Sequence, residues 1–568
     1  MLKIKLTLLN LFGTFRCLIT VLSLFCTISA QNNKGGGNEN IPHLRKTGNV
    51  TQLIVDNKPF LILGGELHNS SSSSLEYMKP IWSKLTKMHL NTALAVVSWE
   101  QIEPTEGNFN FAVVDGLIQE AKNNCLRLTL LWFGSWKNGN SRYPPPWVKA
   151  DQKRFPRVRN KDGKTLEILS PLNDANREAD ARAFAALMKR IREVDSARTV
   201  IMMQVENEVG VLGDSRDRTD AANAAFAKPV PKELMNYLAR NKNTLSPKLR
   251  QVWEAAGSKT SGTWTEIFGQ TQAADEIFMA WNYARYLNRV TEAGKTEYPL
   301  PMFVNAWIVQ PEDRMPGDYP SGGPQEHLHD VWRVGAPQID ILAPDIYLPE
   351  FPEILASYSR NGNPILIPES MAGAKGVANA FYAVGQHHAI GYSPFGIESR
   401  ETDPENGALS KGYAVLAQLT PLILEHQTKN ETAGVWLNKA NPAQKVRLGS
   451  YILDFNLRRN RRNPNELPEL GYAIVIATAP DEYIIAGTDT EVIFSPQTTD
   501  KGNFAGLATV EEGIFNIGRW IPGRLLNGDE VQLRYDYSIA AQSNQSAAGL
   551  RFGANGPTIQ RVKLYRYQ

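Results

Sequence analysis

Between about residues 60 and 425 the chain alternates short β-favouring apolar runs with helical segments, and it does so eight times. The run from Thr199 to Val205, Thr-Val-Ile-Met-Met-Gln-Val, is nearly unbroken in apolar residues. A strand with one wet face would alternate, so this one is covered on both sides and belongs to a parallel sheet. Eight such strands, each followed by a helix, exceed the needs of a doubly wound sheet and match an α/β (β/α)8 barrel. The strands are expected at 60–65, 91–98, 126–133, 199–205, 300–307, 339–347, 363–369 and 388–397.

Two of these runs end on carboxylates. The 199–205 run stops at Glu206, Asn207 and Glu208, and the run Asn363-Pro-Ile-Leu-Ile-Pro stops at Glu369. In a barrel of parallel strands the C-terminal ends form the rim where reacting groups sit. A carboxylate pair on one rim suits hydrolysis of a glycosidic bond: one carboxyl protonates the leaving oxygen while the other, ionised, attacks the anomeric carbon. A lone Glu after a strand would more simply cap the next helix. Two of them, with Asn207 directly before Glu208, argue for chemistry. Other strand ends bring groups suited to a hydroxyl-rich ligand: Glu66 after Gly64-Gly65, the aromatic plate of Trp136 beside Lys137 and Asn138, Asn305 and Trp307, and Tyr347.

The stretch Gln204-Val-Glu-Asn-Glu-Val-Gly210, together with Glu369, resembles the retaining (β/α)8 glycoside hydrolases, and most of all the family 35 β-galactosidases. The segment Trp99-Glu-Gln-Ile-Glu-Pro-Thr-Glu-Gly-Asn-Phe109 is similar to one shared by families 35 and 42. The likeness extends over roughly the whole barrel. It implies that Glu208 is the acid/base, Glu369 the nucleophile, Asn207 a donor to the sugar 2-hydroxyl and Tyr347 a donor to the nucleophile. The activity it implies is removal of terminal β-galactosyl residues from oligo- or polysaccharides. This sequence departs from the family at two rim segments. Asn69 and five serines stand where the family carries His-Tyr, and the third strand ends differently, in Gly134-Ser-Trp-Lys-Asn-Gly139. The same mechanism on a β-glucoside or arabinoside, or a noncatalytic glycan-binding role on this scaffold, therefore remains open.

At 568 residues the chain exceeds what one core serves. Residues 1–30 read as a signal peptide: Lys3, Lys5 and Arg16 precede an apolar stretch that ends Ile28-Ser-Ala30. The protein is thus expected to be exported, periplasmic or extracellular, after cleavage near Ala30. The apolar run is short for a membrane span, and lipid attachment at Cys26 is opposed by the bulky Phe25 before it. Residues 31–45 are a Gly- and Asn-rich leader, 46–428 the barrel, and 429–568 a domain of short alternating strands expected to form a β-sandwich. The net charge of +3 equals the three basic residues of the signal, which holds no acidic ones. The remainder is neutral, and nucleic-acid binding is not expected. Only Cys125 lies outside the signal, so no intramolecular disulfide can form. No cofactor signature, phosphate-binding loop or metal-ligand spacing is present. The long connection after Gly210 equally suits leaving-group subsites or a surface between copies of the chain.

Overall fold

The computed structural model describes residues 40–459, 466–497, 504–533 and 547–568. The signal peptide expected at 1–30, its cleavage site and Cys26 lie outside these residues. Eight parallel strands close into a barrel in chain order: β1 (Ile62–Glu66), β2 (Thr92–Ser98), β3 (Arg127–Lys137), β4 (Val200–Asn207), β5 (Met302–Trp307), β6 (Ile341–Ile346), β7 (Leu366–Ser370) and β8 (Gly391–Pro394). Every residue of β2, β4, β6, β7 and β8 is buried. This is the outcome that the unbroken apolar runs predict, because helices outside and side chains inside cover both faces.

The third strand is longer than its sequence suggested. It continues past Phe133 to Lys137, and a bulge forms against β4: Trp132 pairs with Val205 while Lys137 pairs with Asn207. Five steps of β3 thus run beside two of β4. A bulge of this kind re-aims side chains at a rim, and it decides which residue of Ser135-Trp136-Lys137 faces the barrel axis.

The N-terminal mouth is plugged. Strands His43–Thr47, Val50–Val55 and Lys58–Phe60 form a small antiparallel sheet. From it Leu53 and Val55 pack onto Ile62, Ile201, Phe303 and Ile341 at the strand starts. Burying side chains of this size stabilises by about 1.5–3 kcal/mol each. The expected leader therefore ends earlier than residue 45: His43 to Thr47 pairs back on the next strand across Gly48, whose φ of 60° makes the turn. With its floor closed, the barrel opens at the C-terminal rim alone.

The connection from β4 to β5 carries five helices, at Asp220–Phe226, Lys232–Arg240, Pro247–Ala255, Trp264–Phe268 and Gln272–Glu297. Arg216 and Arg218 pin it by bridging to Asp275 at 2.9 and 2.7 Å. After the helix Ala408–His426 the described residues are mostly strands, in sheets of six and five that face each other across Val435, Leu453, Phe455, Val475, Ile485 and Val562. The six-stranded sheet lays its other face on the barrel helix Gly373–His387, where Phe381 meets Tyr472 at 4.9 Å between rings. A Cβ on Gly385 would stand 2.8 Å from the Ala433 carbonyl oxygen, so glycine is what lets helix and sheet touch there. Among the described residues no helix is long and apolar enough to cross a membrane.

Candidate active site

The rim cavity is built from the ends of six strands. On β4, Glu206 and Glu208 both adopt left-handed backbone, with φ of 61° and 45°. Such conformations cost roughly 1–3 kcal/mol outside glycine and persist where the surroundings impose them. Here the constraints are visible. Glu206 turns away from the cavity and accepts the backbone N–H groups of Ser135 at 2.9 Å and Trp136 at 2.7 Å. The Glu208 N–H is taken by Asn305 Oδ1 at 3.0 Å, and the Glu208 carbonyl accepts from Gly139 N at 3.0 Å.

Asn305 acts in two directions, since its Nδ2 donates to Asp345 Oδ2 at 2.7 Å. Asp345 on β6 lies in register with Glu369 on β7. One carboxyl oxygen from each of Glu208, Asp345 and Glu369 lies within 4.8 Å of the others. Tyr347, just past β6, donates its phenol to Glu369 Oε1 at 2.7 Å. From β3, Asn138 donates its amide to Glu208 Oε2. Asn138 and Gly139 have φ of 50° and 62°, the tight tip that returns the chain so that Lys137 bridges Asn140.

Burial dominates the electrostatics. Glu66 and Asp345 are held well above the usual carboxylate range, first by loss of solvent and then by the charge of Glu369. Glu208 is pushed up to about 7 by the same two causes, while Lys137, Asp345 and Asn138 pull it down. Burial works against the charge of Lys137, but the surrounding carboxylates outweigh it and the ammonium binds its proton more firmly than usual. The Tyr347 phenol is likewise a firm donor, through burial and the neighbouring Glu369. The cavity thus keeps a carboxyl that can hold a proton near neutrality a few ångströms from a second one that accepts a phenol's hydrogen bond.

Several buried polar atoms here have no protein partner: Glu66 Oε1, both amide atoms of Asn207, Asp345 Oδ1 and Glu369 Oε2. Buried polar groups are almost always paired, so a concentration of orphans at one rim marks the place where a ligand's own donors and acceptors complete them. Hydroxyl groups, each donor and acceptor at once, fit this mixed set. The three close carboxyls have the spacing to share a cation. One oxygen of each already takes a donor, from Tyr347, Asn138 and Asn305, and the second oxygens of Asp345 and Glu369 remain for a ligand.

The structure thus gathers Glu66, Asn207, Glu208, Asn305, Tyr347 and Glu369 at one rim. Trp307 ends β5, half-buried, its carbonyl bonded by Gln325. Trp136 is a correction. Far from offering a plate to a ligand, it is wholly buried against Tyr283 and Tyr286, at 5.0 and 4.6 Å between rings, and its indole N–H goes to the Leu169 carbonyl. The bulge in β3 turns it outward into the helix layer. Lys137 and Asn138, expected as rim donors, reach the carboxyl cluster, as does Asp345, which the sequence did not single out. The Asn-Gly dipeptide after Lys137, a strong turn signal, is the mark that would have shown the rim chain doubling back there.

Comparison with known proteins gives partial matches. The sequence profile of glycoside hydrolase family 42, described as beta-galactosidase, matches residues 70–289. A domain of unknown function, DUF5597, matches residues 409–536. A beta-galactosidase of Xanthomonas manihotis is 28% identical over 185 residues, 31% of this chain, so the match spans 28% of that protein's length. Among solved structures, the beta-galactosidase of the psychrophilic Marinomonas ef1 aligns at 13% identity and a TM-score of 0.42, over 64% of this chain and 60% of its own. The beta-galactosidase of Rahnella sp. R3 aligns at 14% and 0.43, over 64% and 57%.

Proposed function

We propose that this chain is a retaining exo-β-galactosidase that removes terminal β-galactosyl residues from oligo- or polysaccharides. The observation that carries the reading is the pairing of Glu208 and Glu369 across one cavity in unlike environments. Glu208 holds a proton up to about pH 7, and Glu369 Oε1 accepts the phenolic hydrogen bond of Tyr347. One oxygen of each glutamate lies within 4.8 Å of one on the other, which supports the roughly 5–5.5 Å separation of retaining enzymes over the roughly 6.5–9.5 Å of inverting ones.

In this mechanism Glu369 attacks the anomeric carbon as the glycosidic C–O bond breaks, and the Glu208 proton passes to the leaving oxygen. The glycosyl ester on Glu369 is then opened by water, whose proton returns to Glu208 as the C–O bond to the enzyme breaks. Asn207 and the unpartnered oxygens of Glu66 and Asp345 hold sugar hydroxyls. The family 42 profile and the Xanthomonas manihotis relative support the β-galactoside.

A second reading keeps the mechanism and changes the sugar. It is favoured by the Lys137-Asn138 tip, which occupies the rim where the resemblance to family 35 fails. The apolar run ending at Ala30 supports action outside the cytoplasm. A panel of aryl β-glycosides, with the anomer of the first product read by NMR, tests all of this. Highest kcat/KM on the galactoside with β-galactose released first supports it. An α-anomer as first product overturns retention, preference for another sugar overturns the galactoside, and glycan binding with no turnover on any sugar leaves a binding protein.

A further inference from the structure

Lys137 has no role in the mechanism as described. It is 8% exposed, and its backbone is fixed by pairing with Asn207 and by the bridge to Asn140. Its ammonium stands 5.3 Å from the centre of the Phe133 ring. Among the described residues it has no hydrogen-bond acceptor and no ion-pair partner within 4.0 Å. Yet the groups around it are carboxyls on four strands: Glu66 on β1, Glu208 at the end of β4, Asp345 on β6 and Glu369 on β7. The other titratable groups near this cluster are Tyr347, Glu398 beside Glu66, and Tyr143, whose ring meets Phe133 at 5.0 Å. A buried ammonium normally contacts a carboxylate. This one faces four and touches none, so its charge is shared over the cavity.

We propose that Lys137 is the electrostatic counterweight of the carboxyl cluster: it keeps the proton of Glu208 releasable, and its free N–H donors take a hydroxyl of the bound sugar. This inference rests on the assignment of Glu208 and Glu369 to proton donor and nucleophile. Without a cation, four buried carboxyls at one rim would compete for protons. A positive charge facing them all lowers every one of these affinities together. Lys137 is in this sense a positioning residue for protons as well as a contact for substrate.

The test is a titration. In full-length protein carrying 13C-labelled glutamate carboxyls, assigned with Glu208→Gln and Glu369→Gln variants, the Glu208 midpoint is followed in the parent and in Lys137→Met, Lys137→Gln and Lys137→Arg. Loss of the cation in Met or Gln is expected to raise the midpoint by about one pH unit, as a charge several ångströms away does. Arg is expected to hold it within a few tenths. An unmoved midpoint in whichever of Lys137→Met and Lys137→Gln folds overturns the proposal. Kinetics adds a second reading: the basic limb of the kcat/KM profile should move to higher pH in Met and Gln and stay in place in Arg. A protein that titrates as expected but cleaves no glycoside would sink the enzymatic reading and leave the charge role of Lys137 standing.

Discussion

The phenol of Tyr347 lies 2.7 Å from Glu369 Oε1 and points its proton at it. Tyr347 follows β6 and Glu369 ends β7, so the contact crosses the join between neighbouring strands at the rim. A donor to a carboxylate steadies the ionised form, and it must release the oxygen when that oxygen bonds to carbon. Tyr347→Phe removes the donor and leaves the ring. Hydrogen bonds to charged groups contribute about 1.5–3 kcal/mol, so kcat/KM should fall roughly 10- to 100-fold. A variant with parent kinetics would show the contact to be packing alone.

Removing the nucleophile has a sharper signature. Glu369→Ala should lower kcat by at least about 10⁴-fold, since no covalent intermediate can form. Azide fits in the space vacated by the carboxylate, attacks from the same side and yields a sugar azide of inverted anomeric configuration. Detecting that product by NMR, in Ala and not in the parent, checks the role. Activity near the parent's would remove Glu369 from the centre of the mechanism.

Glu208 must be protonated to act, and its proton is held up to about pH 7. The basic limb of kcat/KM on an alkyl glycoside should therefore fall near pH 7 and disappear in Glu208→Ala. That variant should lose most on poor leaving groups and little on activated aryl ones, which depart without help. Stability follows with a definite sign. A carboxyl that binds its proton more tightly folded than unfolded contributes fully below about pH 4.5. That contribution drains as pH rises towards 7. Glu208→Gln carries no such penalty, so relative to the parent it should gain melting temperature between pH 5 and 8, worth up to about 3 kcal/mol. An equal difference between the two proteins at pH 4 and pH 8 would contradict the raised affinity.

The barrel was legible because its strands are buried on both faces, and that leaves continuous apolar runs such as Thr199 to Val205. The polar ends of β4 and β7 were legible for the same reason, as abrupt stops in such runs. The bulge in β3 was not, since Trp132 to Lys137 is a row of residues that suits either continuation of the strand or a loop. Without it the alternation of sides cannot be followed, and Trp136 exchanges its place at the cavity for one in the helix layer. Asp345 was hidden differently. It sits inside a strand behind Pro344, and only the closure of the barrel, which sets β6 beside β7, turns a single acid into a neighbour of Glu369. The first strand among the described residues, at His43, carried no contrast with the stretch before it in the sequence.

Asn305 offers the most discriminating test of how the acid is held. Its amide oxygen fixes the Glu208 N–H and its amide nitrogen feeds Asp345, so one planar group sets both the backbone turn of the acid and the proton state of its neighbour. Asn305→Ala should leave the left-handed backbone of Glu208 held by Gly139 and its packing, and leave Asp345 Oδ2 without its donor. Losing two buried hydrogen bonds costs on the order of 2–4 kcal/mol, and kcat should drop about 10- to 100-fold as the acid wanders. Asn305→Asp separates the two functions. It keeps an acceptor for Glu208 N–H but sets a second carboxyl against Asp345, which must then share a proton. If the backbone contact alone matters, Asp should restore most of the activity lost in Ala. We expect the opposite: Asp should be no better than Ala at pH 7 and should recover only towards pH 5, where the added carboxyl is protonated and can donate. Full activity of Asn305→Asp at pH 7 would break the link between Asn305 and the carboxyl cluster.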